Sequence, residues 1–182
     1  IKWFFFSSTS HVYKFSQKKL NEKSRLKPSS LYGLTKLKAE KYIQKKLKKE
    51  KIPFCIGRIF SFTHKKQTAD FVIPSIIKKA KSKKKIVYFE NTEHYRDFLS
   101  TGDICNAINI LFKKKANGIY NIGSGKKVLI SDIIKLIFKK YKKIYKISKN
   151  NKSTWLIADI NKIKKFKWKP KNNIISIVNE LT

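Results

Sequence analysis

Apolar residues along this chain come in two rhythms, and the alternation between them sets the expected architecture. Short unbroken apolar runs predict buried strands, because a strand covered on both faces needs no polar alternation. They are "KWFFFSS" at 2–8, "PFCIGRIF" at 53–60, "KIVYFE" at 85–90 and "GIYNIGSG" at 118–125. Between them, apolar residues recur three and four apart, the spacing of one helix face. The stretch 27–52 predicts a helix with a serine cap near its start, apolar positions at Leu34, Leu37, Tyr42 and Leu47, and Pro53 as its stop. Residues 71–85 predict a second helix with Pro74 close to its N-terminus. Residues 96–114 pass from extended to helical with Ser100 or Thr101 as cap, and 131–143 predict a helix capped by Ser131. Strands alternating with helices point to an α/β protein. A change of texture near residue 61 divides it into 1–61, core strands with a crossover helix, and 62–182, shorter mixed elements of which some segments are expected to return to the sheet. A ligand is expected where two such lobes meet.

Composition adjusts this picture in two places. Of 182 residues 41% are hydrophobic and 13% aromatic, enough for a packed core. The net charge of +33 first reads as a nucleic-acid or polyanion surface. Yet of 44 basic residues three are arginine (Arg25, Arg58, Arg96), leaving 41 lysines, whereas phosphate and base recognition favours the guanidinium fork. With 6 glycines and abundant Lys, Ile, Asn and Phe, the charge is the expected residue of AT-rich codon usage on a solvated surface, and it argues against a nucleic-acid partner. A lysine-rich polyanion-binding module is kept as the alternative class, and an inactive truncated product as a third. Methionine is absent and the chain opens inside an apolar run, so it reads as an excerpt. Cys55 and Cys105, both in apolar patterns, are expected as buried free thiols in a reducing, cytoplasmic setting. No run is long enough to span a bilayer as a helix.

The candidate chemistry sits in "SSLYGLTKLKAEKYI" at 29–43. Tyr32 and Lys36 are four apart and project from one helix face. An ammonium held beside a phenol favours the phenolate, the form that accepts a proton. Among 41 lysines such spacing alone is weak, and its context carries the weight. "FFFSSTSHVY" brings Ser7 to Thr9 to the carboxyl end of a strand, where open α/β sheets bind ligands, and Arg96-Asp97-Phe98 follows downstream.

Taken in order, "SSTSHVYK", the Tyr-x-x-x-Lys helix, "RIFSF", "RDFLSTGDICNA", "YNIGSG" and "ADINKIKKFKWKPK" resemble the extended short-chain dehydrogenase/reductase family of nucleotide-sugar epimerases and dehydratases, over essentially the whole chain. The resemblance implies the C-terminal part of a Rossmann-type doubly wound parallel sheet plus a smaller α/β substrate-binding lobe. It implies NAD or NADP as cofactor and a nucleotide-diphosphate sugar as substrate, with no metal. It also implies a possible homodimer through the Tyr32 helix. Tyr32 would be the acid/base, Lys36 would bond the nicotinamide ribose, and Thr9 would bond the same sugar oxygen as Tyr32. Ser7 and Phe60 would line the nicotinamide pocket. Arg96 would meet the substrate diphosphate, with Ser61 and Tyr88 as further substrate positions. The sequence departs from the family in three ways. It contains no G-x-x-G-x-x-G loop; Ser61 stands where many members carry Asn; and Ser10-His11 follows Thr9 where dehydratases place Asp-Glu, which favours epimerisation or keto-sugar reduction.

The remaining polar residues have plainer expectations. His11, two positions after Thr9, offers a proton-transfer group but reads first as a hydrogen-bonded loop histidine, and His64 and His94 lack partners at metal-ligand spacing. Arg58 reads as a pairing group at a strand end, and Asp97 and Asp103 as capping or ion-pairing groups. Trp3, Trp155 and Trp168 are expected to pack between elements.

Overall fold

The computed structural model describes residues 1–148 and 153–182. Strand β1 (Phe4–Thr9) runs into a one-turn 3-10 segment at Ser10–Val12, and helix α1 (Leu31–Lys49) then crosses over to β2 (Phe54–Ile59). There follow β3 (Ser61–Thr63), α2 (Val72–Ala80), β4 (Ile86–Phe89), β5 (Tyr95–Arg96), β6 (Phe98–Ser100) and α3 (Thr101–Lys113). The chain ends with β7 (Gly118–Ile122), β8 (Val128–Leu129), α4 (Ile130–Lys140), β9 (Ile144–Ile147), β10 (Trp155–Leu156), α5 (Asn161–Lys164) and α6 (Ile174–Leu181).

The principal sheet has the order β1-β2-β7, parallel throughout, in register from Phe4 opposite Phe54 to Thr9 opposite Ile59. Parallel neighbours need a covering crossover, and α1 supplies it between β1 and β2. β7 is drawn from beyond residue 61 yet lies beside β2, so the sheet begun by residues 1–61 is continued by residues 118–122. The smaller pairings are β3 with β6, β4 with β9, and β10-β5-β8, the last holding the antiparallel pair β5 and β8.

Two apolar clusters dominate the interior. One joins Leu37 of α1, Cys55 of β2, Phe60, Ala107 and Leu111 of α3, Ile122 of β7 and Trp168. The other packs Ile73 and Ile76 of α2 against Val87, Phe89, Ile134, Phe138 and Val178. The sheet thus rests on α3 and the C-terminal segment on one side, and on α1 through Leu47, Phe54 and Ile56 on the other.

Three expectations are corrected. The inward face of α1 is Gly33, Leu37, Glu40 and Leu47, while Leu34 and Tyr42 are exposed, because the helix docks through its glycine and its one acid rather than through an unbroken apolar stripe. Helix α4 begins at Ile130 without a side-chain cap from Ser131: β8 leads directly into it, and Ile130 N donates to His94 O instead. Cys105 is exposed on α3, whose buried face is Asp103, Ile104, Ala107 and Leu111; Cys55 is buried as expected. Ser100 caps α3, accepting from Asp103 N at 3.1 Å.

Three helices end in the same backbone figure with lysine in the left-handed position. After α1, Lys51 (φ 53°) donates to Lys48 O and Ile52 N to Leu47 O. After α3 the pair is Lys115 (φ 44°) to Phe112 O and Ala116 to Leu111 O; after α4 it is Lys142 (φ 51°) to Lys139 O and Lys143 to Phe138 O. These are Schellman closures, which usually place glycine there.

Candidate active site

The site is assembled where the carboxyl end of β1 meets the first turn of α1. Thr9 closes the strand, and its Oγ1 accepts from His11 N at 3.2 Å, which turns the chain into the Ser10–Val12 segment. Ser30 caps α1, its Oγ accepting from Gly33 N at 3.2 Å. Gly33 allows the close approach: a Cβ there would overlap the His11 carbonyl oxygen and press on Pro28. With helix and turn in contact, the His11 and Tyr32 rings meet edge to face, centroids 6.2 Å apart at 70°.

The same helix face continues inward at four-residue intervals. Lys36 Nζ donates to Ser7 O at 2.9 Å and lies 5.0 Å from the Phe6 ring centre and 5.9 Å from that of Tyr32. Glu40, one turn further, accepts from Ser8 Oγ. Tyr32, Lys36 and Glu40 therefore engage His11, Ser7 and Ser8 in turn, a clamp between α1 and the end of β1. Tyr32 is 55% exposed, Ser7 is exposed and Thr9 is buried, so the clamp is open at the phenol and closed toward the core.

Beneath it lies a buried polar network. Arg58 of β2 and Glu40 are both almost fully buried, and Arg58 gives Nε to both Glu40 oxygens (3.0 and 3.2 Å) and Nη2 to Oε2 (2.7 Å). Its Nη1 donates to Glu22 O, and its guanidinium lies 4.8 Å from the Tyr13 ring centre. Tyr13 Oη donates to Asn121 Oδ1 at 2.7 Å, and Asn121 Nδ2 donates to Leu20 O. Burial pushes the Tyr13 phenol up to about 12, against the opposing pull of Arg58. Arg58 is thus the pairing group expected of it. Its partner Glu40 was missed, although it is the single acid of a lysine-coated helix and stands eight residues after Tyr32, which was signal enough.

Arg96 approaches from the other side. Its Nη1 donates to Tyr95 O and Thr154 O (2.8 and 2.9 Å), its Nη2 to Thr154 Oγ1 (3.1 Å), and it lies 5.6 Å from the Phe15 ring centre. Burial lowers its pKa. Its charge reaches His11, whose pKa is lowered first by burial and then by Arg96. The neighbouring Asp97 has no exposure and anchors the fold, accepting from Ser124 N and Oγ (2.6 and 2.5 Å), Gly125 N (2.8 Å) and Ala158 N (3.1 Å). Burial raises its pKa, with those bonds opposing.

Tyr32, Lys36, Ser7 and Thr9 are therefore brought together, with Arg96 on their flank. Phe60 is 2% exposed and packs its ring 6.2 Å from Tyr13, behind the clamp rather than in it. Ser61 opens β3 opposite Phe98. Tyr88 stands 64% exposed on β4, which pairs with β9, and none of the contacts described for the clamp involves it. Two open clefts lie elsewhere. One of about 520 Å³ is at the amino ends of β2 and β7 beside Lys48, Pro53 and Gly118; one of about 370 Å³ lies between His64, Pro74 and Leu181. Among the described residues no three His, Cys, Asp or Glu side chains gather as a metal site, and no helix is long and apolar enough to cross a membrane.

The family model for GDP-mannose 4,6 dehydratase matches residues 2–181. The chain belongs to that family. Among family-like relatives, the uncharacterized UDP-glucose epimerase YtcB of Bacillus subtilis (strain 168) is 31% identical over 139 residues, 75% of this chain and 44% of that protein. RMD from Pseudomonas aeruginosa, solved with NADPH, superposes with a TM-score of 0.90 at 20% identity, covering 98% of this chain and 65% of that one. A Tyr-to-Phe variant of UDP-glucuronic acid 4-epimerase from Bacillus cereus, solved with UDP-4-deoxy-4-fluoro-glucuronic acid and NAD, gives 0.85 at 25% identity, covering 97% and 59%. The chain spans about half the length of such relatives. The nucleotide-sugar epimerase/dehydratase group of the extended short-chain dehydrogenases is its family, and a Rossmann-type α/β sheet its fold.

Proposed function

We propose that this chain carries the catalytic-tyrosine part of an NAD(P)-dependent nucleotide-sugar epimerase or keto-sugar reductase. The observation that carries the reading is the clamp itself: an open Tyr32 phenol, one turn from an ammonium fixed on Ser7 O at the carboxyl end of a parallel strand. Tyr32 exchanges a proton with a sugar hydroxyl, and Lys36, fixed on Ser7 O, holds its ammonium on the same helix face. Thr9 contributes its hydroxyl from the buried side.

The residues present suit the nicotinamide-ribose end of a dinucleotide: exposed Ser7, the Lys36 ammonium and the Tyr32 hydroxyl offer donors and acceptors to ribose hydroxyls on one open face. Bound there, the nicotinamide would accept or return hydride. Phe60 would offer at most a ring edge, since it is packed on Tyr13. Arg96, with Ser61 and Tyr88 as outer positions, is assigned to the nucleotide-sugar side, where a guanidinium suits a diphosphate. Residues 1–61 together with β7 serve the cofactor and 62–182 mainly the sugar. The exposed Leu31, Leu34 and Tyr42 of α1 are the surface on which a homodimer would form.

The test is Tyr32→Phe, assayed with UDP-glucose and NAD or NADP. Interconversion falls by roughly 100-fold or more while cofactor binding is retained. A variant that turns over at the unsubstituted rate would refute the assignment.

A further inference from the structure

We propose that the turns closing α2 and α4, with the strand starts they feed, form a surface that docks on an anionic phospholipid membrane. Residues 71–89 and 133–148 carry six lysines each and no Asp or Glu. α2 packs on α4 and β4 pairs with β9, so the two segments form one body. Their turns are tied directly: Lys143 Nζ donates to Ser82 O at 3.1 Å and to Lys84 O at 3.5 Å. Each turn then feeds a strand whose first residue is an isoleucine in water. In β4 Val87 and Phe89 are buried while Ile86 and Tyr88 face out, and the register sets Ile144 beside Ile86. Ile86 is 37% exposed and Ile144 62%. Lys84 and Lys85 precede the first and Lys142 and Lys143 the second, so two branched apolar side chains sit within a rim of ammonium groups.

The rim is not neutralised from within. The ion pairs among the described residues, Lys46 with Glu50 and Arg58 with Glu40, lie elsewhere. Lys79 and Lys81 lean on aromatic rings, 4.7 Å from the centre of Phe89 and 5.8 Å from that of Tyr141. Nearby carboxylates stand at the opposite ends of these elements: Asp70 before α2, Asp132 in the first turn of α4 and Glu90 after β4. α6, which packs on α4, adds the exposed Glu180. The helix dipole favours lysine in the last turns of α2 and α4, but Lys83, Lys84 and Lys85 lie beyond its reach. Codon usage supplies lysine anywhere; it does not set two isoleucines side by side in water.

The chemistry of the rim selects the occupant. Every cation of the two segments is lysine. Protein interfaces are enriched in arginine and depleted of lysine, and phosphate and base recognition in nucleic acids favours the guanidinium fork. Isoleucine at the centre offers a base neither a hydrogen bond nor a stacking ring. A layer of anionic headgroups asks for neither. It attracts lysine by the number of charges brought near it, and apolar side chains within the rim enter the boundary between headgroups and acyl chains. The chain then lies on the surface without crossing it, in keeping with the absence, among the described residues, of a helix long and apolar enough to cross.

The probe is vesicles of phosphatidylcholine, alone or with roughly one-third phosphatidylserine, co-sedimented with the full chain. Binding is expected to the mixed vesicles only, and it falls steeply with salt. Lys84→Gln, Lys85→Gln and Lys142→Gln together lower the partition coefficient roughly 100-fold, about fivefold for each charge at the surface. A chain of net charge +33 is drawn to any anion, so the control removes the same charge elsewhere. Lys38→Gln, Lys41→Gln and Lys45→Gln, on the exposed face of α1, together lower it by less than about threefold. Ile86→Thr with Ile144→Thr keeps branched strand side chains and lowers it roughly 10-fold with the salt dependence unchanged. Circular dichroism of each variant separates lost binding from lost fold. Equal losses in the two lysine triples, equal binding to phosphatidylcholine alone, or undiminished binding of the isoleucine double variant overturns the proposal. So does a rim triple that loses duplex RNA but keeps the vesicles, the behaviour of a nucleic-acid surface.

Discussion

Replacing Arg58 by methionine tests how the clamp is held from behind. The side chain has 1% exposure and makes three contacts to Glu40 at 3.0, 3.2 and 2.7 Å, one to Glu22 O at 3.2 Å, and a cation-π contact with Tyr13. Methionine fills similar volume, so little of the loss comes from a cavity. What remains is the Glu40 carboxylate, buried with Ser8 Oγ as its side-chain donor among the described residues. Removing one partner of a buried ion pair costs about 3–5 kcal/mol, a large share of the ~5–15 kcal/mol that stabilises a typical domain. At this chain length each kcal/mol lowers the melting temperature by roughly 2–4 °C, so a fall of about 6–20 °C is expected. Adding Glu40→Met should recover most of it, because an apolar pair removes the stranded charge. Urea unfolding followed by far-ultraviolet circular dichroism gives all corners of the cycle. A cost below ~1 kcal/mol for Arg58→Met, or a double variant no better than the single, would refute a pair that stabilises through mutual neutralisation.

Three shorter tests address other parts of the chain. Gly33→Ala places a Cβ against the His11 carbonyl and should cost ~1–3 kcal/mol in the same unfolding assay, with the His11 nuclear magnetic resonance signals shifted. Asp103 accepts from Lys171 N, Asn172 N and Ser100 Oγ, and these bonds hold its pKa below 3.8 against the opposing effect of burial. Its contribution is therefore complete above pH 3.8 and lost as pH falls through the lowered native value; Asp103→Asn should remove that acid-sensitive part of the stability curve. Burial pushes the Cys55 thiol to about 12, so a thiol reagent should label Cys105 alone in the native protein and both cysteines after unfolding.

Much of the architecture was legible because parallel strands and their crossovers leave separate rhythms in the sequence. The runs at Phe4 and Phe54 became β1 and β2, and the glycine turn after Ile122 became the end of β7. Leu34 and Tyr42 misled because helical spacing records which positions are apolar, not whether the facing surface is apolar. Here α1 faces a turn that admits only glycine and a strand that presents Ser8, so Gly33 and Glu40 took the inward places. Tyr32, Lys36, Ser7 and Thr9 could be gathered from the sequence because two short segments hold them all. The role of Asn121, pairing Tyr13 across 108 residues, could not, since nothing local marks an asparagine as the terminus of a buried network.

The lysines that close α1, α3 and α4 have a bearing on how much change the chain can absorb. At Lys51, Lys115 and Lys142 the backbone takes a conformation that costs a side-chain-bearing residue ~1 kcal/mol or more and costs glycine little. A sequence with 6 glycines places lysine where these turns favour glycine, and its folded state tolerates the accumulated strain. Those three sites form a reserve: glycine at each would relieve strain without touching core or clamp, and the stability gained would offset costly changes near Tyr32.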